Sequence, residues 1–431
     1  MPNINDLPLE IFELILGSLH VDMTKREGEV DIGLAAVCLT CKLWKDFAFS
    51  CPELWSCIEI INSRGFEILP SYSKVSKWLS RSKNQPLSLV IRNFFQSKSA
   101  RALLKLLVAH SHRWHRISLH FSPYFGGIEL PDNFLAPILE SVIIDASCLG
   151  SNINVFYEKL LRGAPALRNF VHRGHWDYFT PYGLHLEPLR SFHLEGYLSA
   201  SDALMVLEKG VNLQTCSLRI EGSDGLSVKP VTSSVSCLSL LVVGVDGTKE
   251  FFEFLHAPSL TNLSIIFGDW RHDHVNLFYI LSKTHSGLST LTITNIKMPA
   301  DEFLNCLTLL TELTTLRILK PWAVLSRTKQ IENQINNNIM NLLTFQGEGA
   351  PRPLSPLLET ITLELCVGAD DGLFFEMVRS RRYSPNVLYK SGVALLKQLD
   401  ATVLSPSIHI QDKAGLEKMY GEGLRGSLKF L

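Results

Sequence analysis

Ten short segments of this chain repeat one another, and that repetition limits the fold more than any other feature. WHRISL, LESVII, LRNFVH, LRSFHL, LQTCSL, VSCLSL, LTNLSI, LSTLTI, LTTLRI and LETITL begin at residues 114, 139, 167, 189, 213, 235, 260, 288, 313 and 358. Each alternates apolar and polar positions, the pattern of a short strand with one face buried. The first eight intervals run from 22 to 28 residues, enough for one strand and one return segment. A single such unit cannot cover its own apolar face, so the units must stack, each strand pairing with the next. The pattern predicts an α/β fold of parallel strands with helical or loop returns, arranged as a solenoid.

The returns carry helix signals. NINVFYEKLLRG opens on Asn152, an N-cap residue, and closes on Gly163, a C-cap glycine; SDALMVLEKG does the same with Ser201 and Gly210. Residues 248–255, 275–283 and 300–310 are further helical candidates, and the polar stretch from Gly222 to Ser234 reads as loop. The last interval, 45 residues, breaks the period with a helix near 326–345 and a Pro-rich loop from Gly347 to Pro356. Residues 370–384 then form a helix, followed by a last strand pair and a closing cap.

The first sixty residues follow a different rule. Leu7, Ile11, Ile15 and Leu19 recur every four residues behind Asp6 and Pro8, with Phe12 and Leu16 beside them. That spacing predicts a short amphipathic helix. After a charged loop from Lys25 to Asp31, Leu34, Val37, Cys38, Cys41, Trp44 and Ala48 stand at helical spacing again. The order Leu7-Pro8-x-Glu10-Ile11, then Val37-Cys38 with Trp44, then Pro52-x-Leu54-Trp55 resembles an F-box. That helical module binds the Skp-type adaptor of cullin–RING ubiquitin ligases. The loop between Leu19 and Leu34 is longer than in compact members.

The WLSRS…PLSL and HSHRW elements that follow (78–89 and 110–114) are similar to the linker of F-box proteins abundant in fungi. The repeats look like degenerate leucine-rich repeats. That family usually places Asn or Cys three residues beyond the last strand leucine, where this chain has Glu221, Gly268, Ile296 and Pro321 in four repeats. An irregular solenoid is expected. The domain reading is an F-box at 1–60, a helical and strand linker at 61–113, and a repeat solenoid with its cap at 114–431.

The resemblance implies a substrate-recognition subunit of a Skp–cullin–F-box ligase, non-catalytic itself, that holds an unidentified protein substrate on its repeats. Leu7, Pro8, Ile11, Ile15, Leu16, Leu34, Val37 and Cys38 are the implied adaptor-binding face. Trp44, Leu54 and Trp55 are read as packing the box onto the repeats. Tyr124, Phe125, Trp176, Tyr178, Trp270 and Trp322 each follow a repeat strand closely. Lined up on one rim they would anchor a partner; the bland alternative is that each ring packs over its own or the neighbouring repeat. Two other readings stay open: a scaffold working outside ubiquitination, and a plain repeat protein whose N-terminal helices only cap the solenoid.

Composition narrows the function classes. A net charge of −1, from 41 basic and 42 acidic residues, argues against nucleic acid as main partner. No apolar run approaches the roughly 20 residues of a membrane span, and no secretory pattern opens the chain. Nine scattered cysteines do not read as a disulfide framework, so a reducing compartment, cytoplasm or nucleus, is expected.

Cys38-x-x-Cys41 with Cys51 and Cys57 has the wrong second spacing for zinc and reads as buried thiols. His110, His112, His115 and His120 straddle a helix end and a strand, and RHDH (271–274) is a polar loop. Gly421-x-Gly423-x-x-Gly426 has no helix after it and cannot be a dinucleotide fingerprint. RSRR (379–382) is the one tight arginine cluster, an anion site or an exposed helix face. No cofactor motif or nucleophile–base pair stands out, so no enzymatic activity, cofactor or metal is expected.

Overall fold

The computed structural model describes residues 38–61, 69–94, 97–121, 129–146, 153–174, 181–223, 229–268, 280–282, 287–295, 298–320, 335–382, 385–403 and 409–430. The chain divides into two compact units, Met1–Gly196 and Tyr197–Leu431.

In the first unit, helices and strands alternate. Helix α1 (Lys42–Ser50) leads through a 3-10 turn (Pro52–Trp55) into β1 (Cys57–Ile61), followed by α2 (Tyr72–Arg81) and β2 (Leu87–Phe94). Then come α3 (Lys98–Val108), β3 (Trp114–Phe121), β4 (Ser141–Ala146), α4 (Ile153–Gly163), β5 (Asn169–Arg173) and β6 (Ser191–Ser199), within which the unit ends. The strands pair in sequence order and all parallel. The inward positions Ile58, Leu89, Ile117, Val142, Phe170 and Phe192 form one in-register row, each at most 3% exposed. Burying each of these side chains is worth roughly 1.5–3 kcal/mol, which is what the alternating pattern encodes.

The second unit repeats the plan. After α5 (Ala200–Lys209), β7 (Thr215–Gly222) and β8 (Cys237–Val242) come α6 (Val245–Phe254), β9 (Asn262–Phe267), β10 (Thr290–Thr294), α7 (Ala300–Leu309) and β11 (Thr315–Leu319). The unit continues with α8 (Asn337–Leu343), β12 (Thr360–Glu364), α9 (Leu373–Ser380), α10 (Pro385–Lys390), β13 (Gln398–Val403), α11 (Ile410–Gly421) and β14 (Arg425–Phe430). Here too the strand order is sequential and parallel.

All ten repeat motifs fall on or run into strands β3 to β12. Four strands escape that pattern. CIEII and QLDATV carry a cysteine or a polar residue where the leucine is looked for, and RGSLKF opens on Arg-Gly. LSLVIRNF alternates well but sits beside the box-like segment. The helix expected through Leu34 to Ala48 is interrupted within its described part. Residues 38–40 are helical, Cys41 is extended (φ −160°, ψ 172°), and its carbonyl then accepts from the Lys45 amide. Thr40 and Cys41 are weak helix formers, which makes this the cheapest point to break.

Other boundaries shift for local reasons. Helix α5 is capped by Ser199, whose Oγ accepts from the Asp202 amide at 3.1 Å, so the cap lies two residues before Ser201. The stretch read as loop between Gly222 and Ser234 contains a two-residue strand, Val231–Thr232, paired with Leu255–His256. Of the helix expected near 326–345 only α8 lies within the described residues.

Candidate partner-binding surfaces

The box-like segment is built around one tryptophan. Trp55 is buried and its Nε1–H donates to the Ala48 carbonyl at 2.7 Å, closing the last turn of α1. Phe47, Ala48 and Trp55 form a small core, with Cys38, Trp44, Phe49, Cys51, Leu54 and Trp78 packed against it. The Arg81 guanidinium lies 3.9 Å from the Phe49 ring centre and 4.4 Å from that of Trp55. Trp44, Leu54 and Trp55 thus gather where α1 meets α2. Cys38, the one implied adaptor residue within the described part, is half-buried and packs on this cluster. Leu39 and Leu43, which helical spacing did not single out, are 84% and 53% exposed. Leu7, Pro8, Ile11, Ile15, Leu16, Leu34 and Val37 lie outside the described residues.

The two linker elements interlock. Arg113 of HSHRW is buried, and its guanidinium donates to the carbonyls of Leu79, Ser82 and Gln85 and to Ser82 Oγ (2.7 Å). These are the orphan acceptors at the end of α2, the WLSRS helix. Trp114 Nε1–H donates to the Leu107 carbonyl at 3.1 Å, the same seven-residue reach that Trp55 makes. The linker motifs therefore have a structural account of their own.

RSRR does not form an anion site. Arg381 is fully buried, donating to the carbonyls of Leu343, Leu354 and Ser355; Arg382 donates to that of Leu396; Arg379 pairs with Glu376. An exposed face is wrong for Arg381 because three carbonyls left unpaired by the irregular chain between α8 and β12 converge on it. Burial pushes its pKa down to about 10, so it stays charged at neutral pH.

The histidines scatter. His115 faces Glu140 at 3.2 Å, His120 faces Asp145 at 3.3 Å, and the His110 and His112 rings lie 6.2 Å apart. Burial and the neighbouring Arg113 and His112 lower the His110 pKa. His272 and His274 of the RHDH stretch fall outside the described residues. Cys38, Cys41, Cys51 and Cys57 are half-buried rather than buried, because the small cluster around Trp55 has too little surface to cover them.

Among the described residues, ligand-type atoms converge at Asp371, His409 and Asp412. Each is already committed. Asp371 accepts the Gln411 and Asp412 amides at 3.0 Å, Asp412 accepts the Phe375 amide at 2.8 Å, and His409 Nδ1 lies 2.9 Å from Asp412. This network caps α11. The terminal glycines have a backbone role instead of a phosphate one. Gly423 (φ +96°) turns α11 into β14, and at Gly426 (φ +118°) a Cβ would collide with the Leu399 carbonyl.

The rim residues Tyr124, Phe125, Trp176, Tyr178, Trp270 and Trp322 lie outside the described residues. Of the departures from the asparagine position, one has a near substitute. Asn295, one residue before Ile296, adopts a left-handed backbone (φ 64°) and its Nδ2 donates to the Phe267 carbonyl at 3.2 Å. No helix among the described residues is long and apolar enough to cross a membrane. Neither a family model nor a curated protein matches the chain.

Proposed function

We propose that this chain is the substrate-recognition subunit of a Skp–cullin–F-box ubiquitin ligase, acting in the cytoplasm or nucleus. One observation carries the reading: Leu7-Pro8-x-Glu10-Ile11, Val37-Cys38 with Trp44, and Pro52-x-Leu54-Trp55 follow in order and lead into stacked strand repeats. In this reading the chain catalyses nothing. It raises the effective concentration of substrate lysines by holding the partner near the conjugating machinery. The exposed pair Leu39 and Leu43 is compatible with apolar surface left for an adaptor.

The test uses the full chain, because a truncation at residue 60 would remove Trp55 and most of β1. Purified Skp-type adaptor should be retained by the wild type, and Leu7→Ala with Pro8→Ala should weaken retention at least about tenfold, roughly 1.4 kcal/mol, at unchanged Tm. Wild-type-like affinity in the double variant sinks the proposal. A second reading, in which the N-terminal helices only cap the repeats, is favoured by the packing of Cys38 onto the chain's own Trp55 cluster. It expects the double variant to unfold and the wild type to ignore the adaptor.

A further inference from the structure

Within the second unit the two faces of the sheet differ in chemistry. The inward rows are Leu and Ile; the opposite face carries in-register Ser239, Ser264, Thr292, Arg317 and Thr362 on five successive strands. The four hydroxyl residues are half-buried and Arg317 is exposed. Among the described residues, Arg317 has no ion pair or hydrogen bond, and these four hydroxyls have no side-chain bond. Other arginines differ: Arg113, Arg168, Arg381 and Arg382 satisfy carbonyls, and Arg379 pairs with Glu376.

The nearest carboxylates on this face have other partners. Glu364 accepts the Lys320 amide at 3.1 Å, and Asp400 accepts from Ser427 and Gln398. One cation stands unneutralised in a field of uncharged hydroxyls.

We propose that this row binds an extended protein segment through one side-chain carboxylate, Asp or Glu, seated on Arg317. The guanidinium fork matches a carboxylate bidentately. Thr292 and Thr362, one strand spacing of about 4.8 Å to either side, face the flanking peptide groups. Charge decides against a phosphate: its nearly two negative charges exceed what one guanidinium balances, with Glu364 and Asp400 close by. Four strand spacings, about 19 Å, accommodate about six extended residues. The inference rests on the receptor reading in one respect, that the repeats hold a protein partner.

The experiment measures anisotropy of labelled decapeptide pools with a central Glu, Gln or phosphoserine and random uncharged flanks, on the full-length protein. The Glu pool should bind at least about tenfold tighter than the Gln pool, the scale of a charge-assisted hydrogen bond. Arg317→Gln should erase that margin, and Arg317→Lys, which keeps the charge but not the fork, should retain part of it. The exposed site predicts native circular dichroism for both variants. Equal binding of the Glu and Gln pools, or an Arg317→Gln protein that still prefers Glu, overturns the proposal. A phosphoserine pool tenfold tighter than Glu overturns the carboxylate assignment. Adaptor retention by the same variants separates the two claims: carboxylate selectivity without adaptor binding leaves this site standing and removes the ligase role.

Discussion

Among the described residues, each unit buries one arginine and one histidine, and the two solve the same problem differently. In the first, Arg113 closes the end of α2 with help from the Ser82 hydroxyl, and it retains 6% exposure. In the second, Arg381 is fully buried and bonds three carbonyls with no side-chain acceptor. His172 stands in an inward strand row between Ile144 and Leu194, with the Tyr157 hydroxyl 2.7 Å from its Nδ1. His409 meets a carboxylate, Asp412, which can take up an ion pair. The first unit therefore buries its histidine as a neutral base beside a phenol, and the second beside a charge. Irregular repeats leave carbonyls unpaired at their junctions, and long donor side chains answer them where short asparagines cannot reach.

The comparison can be broken most sharply at Arg381. Arg381→Met should lower unfolding free energy by about 4 kcal/mol, because it strands three buried acceptors. Urea denaturation checks this, and a loss under about 1 kcal/mol would mean that water replaces the guanidinium.

The histidine contrast is read through pH. Burial lowers the His172 pKa from 6.5 to about 4, a pull only partly offset by Glu195 and Asp145. The unfolded chain therefore takes up this proton first. Stability falls as pH drops from 6.5 towards about 4 and levels off below. His172→Leu suits the apolar row and should shrink that pH-dependent loss by about 3 kcal/mol or less, measured as the difference between pH 7 and pH 4. An unchanged acid slope would show that the ring is not buried neutral.

Arg113→Met should cost about 2 kcal/mol, less than Arg381→Met because its acceptors lie nearer water and Ser82 can turn its hydroxyl. A larger loss at Arg113 than at Arg381 would reverse the ranking, and with it the account of what burial contributes.

Much of this architecture is written in the sequence because alternation is a local property. Leu291 and Ile293 announce their strand within five residues. CIEII and RGSLKF do not, since Glu59 and Lys429 sit on the outward face and the motif search weighs leucines. The buried arginines are illegible for another reason. Composition places arginine at the surface, and only the three-dimensional convergence of Leu343, Leu354 and Ser355 makes a wet side chain a core one. Arg317 reads in sequence like any strand arginine; its isolation depends on which residues stand beside it two strands in each direction.

The 45 residues separating LTTLRI from LETITL leave Thr315 paired directly with Thr360 and Arg317 with Thr362. Strand register is thus indifferent to how long the chain wanders between strands. For a lineage, that decouples two kinds of variation. Insertions can lengthen a return and add new surface there, while side chains on the sheet keep their mutual spacing. Point substitution edits the face one strand at a time, and length change leaves it untouched.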